Sequence, residues 1–167
     1  MRKLFFWGCV LVILACGTCF AWTGKVVGIA DGDTIRVMHA GKSEKIRLYG
    51  VDSPERDQDF GAQARKFTSN MVFGKNVDVQ VVTRDRYGRT VAWVSVEGKS
   101  LNKDLVKAGL AWWYEQFAKN DQELKALEFE ARQQKIGLWS TPNPIPPWKF
   151  RNPKKDSPSR FRMWPFN

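Results

Sequence analysis

From Trp22 to Val96 the apolar residues recur mostly at every second position, in short runs cut by glycine turns. That period belongs to strands with one face buried. Gly24 to Ile29 reads as a strand, followed by the turn Asp31-Gly32, a strand from Thr34 to Met38, a turn at Gly41 and a strand from Glu44 to Tyr49. Asn76 to Val82 and Thr90 to Val96 are predicted as two more, joined by R-D-R-Y-G-R. Between the third and fourth strands the period changes. Ala62, Ala64, Phe67, Met71 and Val72 share one side of a helix predicted over Phe60 to Phe73, with Gly74 as its stop. Ser100 to Ala108 reads as a short helix closed by Gly109. Asp121 is placed to cap a third helix, with Leu124, Leu127, Phe129 and Ile136 among its apolar positions and Gly137 at its end.

Five strands with a helix between the third and fourth have the connectivity of a five-stranded Greek-key barrel, the OB-fold, mainly β with about three helices (α+β). The predicted domain covers residues 22–140. After it, residues 141–167 alternate prolines with Lys149, Arg151, Lys154, Lys155, Arg160 and Arg162, a Pro-rich basic tail with little core of its own. Before it, Arg2 and Lys3 precede an apolar run from Leu4 to Ala15, and Cys19-Phe20-Ala21 offers small residues at the −3 and −1 positions. Residues 1–21 therefore read as a signal peptide cut after Ala21, which predicts a secreted or periplasmic protein. Lipidation at Cys16, which would tie the protein to a membrane, and a retained anchor are the alternatives.

All three cysteines lie in that leader and His39 is the only histidine. Cysteine metal sites and cysteine nucleophiles are thus excluded from the mature chain, and a histidine-based zinc site or a Ser-His-Asp triad is disfavoured. His39 itself reads as a polar residue at a hairpin end. Lysine and arginine number 27 against 17 acids; without Arg2 and Lys3, 25 against 17 leaves +8. Such a charge on a small domain points toward a polyanion such as nucleic acid.

Five charged residues carry the candidate chemistry: Asp33 in D-G-D-T, Arg47 in K-I-R-L, Asp52 and Glu55 in V-D-S-P-E, and Arg89 in D-R-Y-G-R. Asp33 and Asp52, at the ends of separate predicted strands, offer hard oxygen ligands suited to Ca²⁺. Read alone, Asp33 is also a turn aspartate. Arg47 sits between Ile46 and Leu48 at an apolar strand end and needs an anionic partner. A phosphate can serve, and so can an internal ion pair with Asp33 or Asp52. Asp57 and Asp59 read as solvated loop charges, and Trp93 and Trp139 as core.

The segments D-G-D-T-I, I-R-L-Y-G-V-D-S-P-E, D-R-Y-G-R-T-V-A, L-V-K-A-G-L-A and G-L-W occur in this order. Together they resemble the staphylococcal-nuclease (thermonuclease) family over roughly residues 23 to 140. The resemblance implies a Ca²⁺-dependent enzyme that cuts DNA and RNA to 3′-phosphorylated products, working as a monomer without a protein partner. It implies metal ligation by Asp33, Asp52 and the carbonyl of Ser53, a serine where the family's type protein has threonine. It assigns phosphate binding and charge neutralisation to Arg47 and Arg89, and activation or positioning of the attacking water to Glu55. Arg86 and Tyr87 stand at substrate-binding positions. Tyr114, with Trp112 and Trp113, is a candidate for base stacking. The alternative is a non-catalytic OB-fold module that binds nucleic acid.

Overall fold

The computed structural model describes residues 21–152. The proposed leader, apart from Ala21, and the tail from residue 153 lie outside the described residues. Strand β1 (Ala21–Asp31) pairs antiparallel with β2 (Thr34–His39), and β2 with β3 (Lys42–Leu48). After the two-residue β4 (Val51–Asp52) and helix α1 (Gly61–Val72) comes β5 (Asn76–Arg84), which lies antiparallel to β1. β6 (Thr90–Val96) pairs with β5 and also runs parallel to β3, with Ile46 opposite Thr90 and Leu48 opposite Ala92. That last pairing closes a five-stranded barrel. A sixth, two-residue strand, β7 (Lys99–Ser100), extends the sheet beyond β6.

Closure follows from the alternation. Val26, Ile35, Val37, Ile46, Leu48, Val77, Val79, Ala92 and Val94 are each at most 1% exposed and fill the interior. Intervening residues such as Arg36, Lys45 and Asp78 face water. The strands run somewhat beyond the sequence expectation, β1 beginning at Ala21 and β5 reaching Arg84.

Helix α1 lies against β1 and buries Ala64, Thr68 and Val72. Helix α2 (Leu101–Lys107) is capped by Ser100, whose hydroxyl accepts from Lys103 N, and packs Leu101, Leu105 and Val106 inward. Its buried Asn102 accepts from Val94 N at 3.0 Å and donates to the carbonyls of Tyr49 (2.9 Å) and Ala92 (3.2 Å). This side chain ties the helix to the rim that carries the site. Strand β8 (Trp112–Trp113) pairs with β4, and a single helical turn, α3 (Glu115–Ala118), follows.

Helix α4 (Gln122–Gln133) starts where expected, with Asp121 Oδ1 accepting from Leu124 N at 2.9 Å. Its end and its face differ from the sequence reading. The helix stops at Gln133, because Lys135 turns the chain at positive φ and Gly137 opens a short 3₁₀ turn (Gly137–Ser140). Leu124, Glu128 and Ala131 form the inward face, and Phe129 is 61% exposed on the outside. The first residues of the Pro-rich segment fold back on the domain, where α5 (Pro147–Phe150) is a single turn with Pro147 buried.

Candidate active site

The tight turn between β1 and β2 places Asp33 at the barrel rim, 6% exposed. Its Oδ1 accepts from the Thr34 hydroxyl at 2.9 Å and its Oδ2 from Ser53 N at 2.7 Å. β3 delivers Arg47 to the same point. The turn at Tyr49–Gly50 then reverses the chain so that β4 brings Asp52 opposite. Gly50 has φ +73, and a side chain there would strike Leu124.

Arg47 is braced on every side. Its Nη1 donates to the carbonyls of Leu48 (3.0 Å) and Val51 (2.7 Å), while Nη2 lies 2.7 Å from Asp52 Oδ1 and 3.3 Å from Asp33 Oδ2. The internal ion pair foreseen for this arginine is thus present with both aspartates. Asp52 is 1% exposed, and burial beside the Asp33 carboxylate, only partly offset by Arg47 and Arg151, pushes its pKa up to about 6. Asp31, on the edge of the site, is also raised, first by burial and then by Asp33, with Arg56 opposing. A buried carboxylate pair of this kind favours added positive charge.

Glu55 follows Pro54 on a loop that closes against α1. Gly61 touches the Glu55 carbonyl so closely that a Cβ at position 61 would overlap it. Across the cleft, Asp85 Oδ1 accepts from the backbone N–H groups of Tyr87 and Arg89, and Arg89 Nε is 2.6 Å from Asp85 Oδ2. Burial raises the Asp85 pKa, but the hydrogen bonds from Arg89 and Tyr87 outweigh it and the net shift is downward. Tyr87 is 69% exposed, with Arg86 over its ring at 4.9 Å and Arg89 at 5.5 Å.

One cleft of about 1390 Å³ is lined by Asp33, Arg47, Asp52, Ser53, Glu55, Arg86, Tyr87, Arg89 and Tyr114 alike. All nine candidate residues, drawn from segments more than 80 positions apart, therefore face the same space. The other two stacking candidates do not. Trp112 and Trp113 are 4% and 8% exposed, and Trp113 Nε1 is committed to the Ala118 carbonyl at 2.9 Å. Trp113 packs into the core, and Trp112, its neighbour on β8, packs edge-on against Trp139 and Trp148. Trp93 packs against the core, whereas Trp139 is only half-buried, under Arg132 at 3.9 Å. His39 bonds Glu44 at 2.8 Å and stacks on Trp22 at the hairpin end. Asp57 and Asp59 are exposed.

Sequence reasoning missed three residues that share this cleft: Asp85, Trp148 and Arg151. Asp85 carried a signal in the D-x-x-x-R spacing of its own turn. Arg151 reaches the acids from almost 100 positions away, at 2.8 Å from Asp52 Oδ2 and 2.5 Å from Glu55 Oε1.

A family described as staphylococcal nuclease homologue matches residues 45–141. The chain belongs to this family. The match spans Arg47, Asp52, Ser53, Glu55, Arg86, Tyr87, Arg89 and Tyr114; Asp33 and Arg151 lie outside it. A relative from Escherichia coli bearing the name uncharacterized endonuclease is 46% identical over 132 residues, 78% of this chain and 86% of its own. An endonuclease of Haemophilus influenzae, likewise called uncharacterized, is 38% identical over 157 residues, 92% of this chain and 88% of its own. A Shigella flexneri protein named micrococcal nuclease is 37% identical over 150 residues, 82% of this chain and 86% of its own. For a staphylococcal nuclease homologue, the donor set suits a hard cation. Asp33 and Asp52 offer carboxylate oxygens, and the buried Ser53 Oγ has no hydrogen-bond partner among the described residues. Among the described residues no group of three or more His, Cys, Asp or Glu is arranged to hold a metal ion by itself. A cation at the aspartate pair would thus complete its shell with carbonyl and water oxygens, as Ca²⁺ readily does.

Proposed function

We propose that this protein is a Ca²⁺-dependent, sugar-nonspecific endonuclease. It hydrolyses phosphodiester bonds of DNA and RNA to 3′-phosphorylated products and acts outside the cytoplasm after removal of residues 1–21. The observation that carries the reading is the single cleft in which two buried carboxylates, a third acid and two arginines face one another. Asp33, Asp52 and the Ser53 carbonyl would hold Ca²⁺. When bound, the ion supplies positive charge to a phosphate oxygen and an oriented water.

The chain's own groups account for the rest. Arg47 and Arg89 present guanidinium forks to the phosphate oxygens and neutralise the charge that grows on them as water attacks. The Nη hydrogens of Arg47 are taken up by two carbonyls and two carboxylates, so its fork would reach the phosphate by releasing the aspartates to the bound cation. Glu55 accepts the proton of the attacking water. The new P–O bond forms opposite O5′. The P–O5′ bond breaks, O5′ takes a proton from solvent, and the phosphate stays on the 3′ side. Arg86 and Tyr87 would steady the flanking backbone, and Tyr114 would stack on a base.

The test is digestion by two variants with end-group analysis of the products. Glu55→Gln and Arg89→Ala should each lower kcat by on the order of 10²–10³ with the fold unchanged. Undiminished cleavage by both, or products bearing 5′-phosphates, would contradict this assignment.

A further inference from the structure

Residues 141–152 do not leave the domain at the last 3₁₀ turn. They return across the mouth of the cleft as a strap. Gln58 Nε2, in the loop that carries Glu55, donates to the Ile145 carbonyl. Pro147 is buried. Trp148 lies flat on Tyr114 (ring centroids 5.3 Å apart, planes 3° apart) and edge-on to Trp112 at 6.3 Å. Parallel and edge-on aromatic contacts of this kind each stabilise a docked segment modestly. They set the register that sends Arg151, just past α5, down onto the acids.

There Arg151 Nη2 sits 2.8 Å from Asp52 Oδ2, and Nη1 sits 3.3 Å from Asp52 Oδ1 and 2.5 Å from Glu55 Oε1. Arg47 already occupies Asp52 Oδ1 at 2.7 Å. Oδ2 is the oxygen that Arg47 leaves for a cation, and Arg151 holds it. A Ca²⁺ ion bonded to that oxygen at about 2.4 Å would lie in contact with the guanidinium. Like charges so close, beside a carboxylate 1% exposed, repel strongly.

We infer that Arg151 is a tethered competitor of the divalent cation: the strap seats its guanidinium on Asp52 and Glu55, and the metal binds by displacing it. The inference rests on the Ca²⁺ reading of the site. The tether matters because a group on a short strap meets its site as an intramolecular partner, at a high effective concentration that no free cation of the same affinity matches. The seated arginine also engages Glu55, so the cation position and the acid assigned to the water are covered together.

Calcium titration calorimetry without substrate tests this, on the purified protein with its complete C-terminal tail. Arg151 is half-exposed beyond the last helical turn, so Arg151→Ala should leave the fold intact. If the guanidinium is seated about nine-tenths of the time, only about one-tenth of molecules are open to metal, and the variant should bind Ca²⁺ about ten-fold more tightly. Trp148→Ala, which loosens the strap with Arg151 in place, should shift affinity the same way by less. Amide exchange over residues 148–152 should quicken when Ca²⁺ is added to the unaltered protein. Equal or weaker Ca²⁺ affinity in Arg151→Ala would overturn the competition and leave the Ca²⁺ reading standing. No Ca²⁺ binding by any of the three proteins would remove that reading and this inference with it.

Discussion

Arg47 and Arg89 differ in what holds them, and so should their variants. Arg47, its side chain 12% exposed, neutralises two buried aspartates and bonds two carbonyls. Arg47→Ala leaves those carboxylates facing each other and should cost about 3–5 kcal/mol of stability in the metal-free protein, besides activity. Among the described residues Arg89 bonds one carboxylate, that of Asp85 in its own turn, so Arg89→Ala should lose activity with little change in denaturation midpoint. Urea melts of the two variants separate these expectations. Asp52 gives a pH signature. Its folded pKa, about 6 against 3.8 for the free side chain, is raised, so its contribution to stability is fully present below about pH 4 and is lost as pH rises through about 6. The loss is on the order of 2–3 kcal/mol. In EGTA, Asp52→Asn should remove that part of the pH slope and match or exceed the parent's stability near neutral pH; an unchanged slope would contradict the cause given. The residue types in this site were legible, because an arginine between Ile46 and Leu48 demands an anion. An ion pair with Asp33 or Asp52 was legible too; that Arg47 engages both at once was not, since that depends on the reversal at Gly50.

At the scale of elements, the alternating strands were legible because burial in a small barrel repeats every two residues, and β6 alternates buried and half-buried residues from Thr90 to Val96. Helix α4 was misread at its end for a local reason. Ile136 continues the apolar pattern past the turn at Lys135, but serves the contact between the 3₁₀ turn and Gly109, where Leu138 N donates to the Gly109 carbonyl at 2.9 Å. The two-residue strands β4 and β8 exist only through each other, and no local pattern announces such a pair. One element carries a sharp expectation. Gly61 starts α1 in contact with the Glu55 carbonyl, so Gly61→Ala must move the backbone that presents Glu55. A displacement of about 1 Å there can cost on the order of 10² in rate. Activity should therefore fall far more than stability, as measured by kcat beside a thermal melt.

The whole molecule joins two designs. A closed barrel sets the acids and arginines at one rim, while a net charge of +8 over residues 22–167 favours polyanions. The strap adds a part that composition concealed. Residues 141–152 carry no repeating apolar period, yet Pro147 is buried, Trp148 stacks on Tyr114 and Arg151 reaches Asp52. Such contacts are fixed by three-dimensional position, which period and propensity do not encode. The proposed role of this cleft is that of a calcium-activated nuclease site. It is tested most directly by incubating plasmid DNA and total RNA with the purified protein in Ca²⁺, in Mg²⁺ and in EGTA. Cleavage of both polymers in Ca²⁺, with none in EGTA, is the result predicted here. Tight binding of either polymer with no cleavage under any metal would contradict it and make the barrel a binding module.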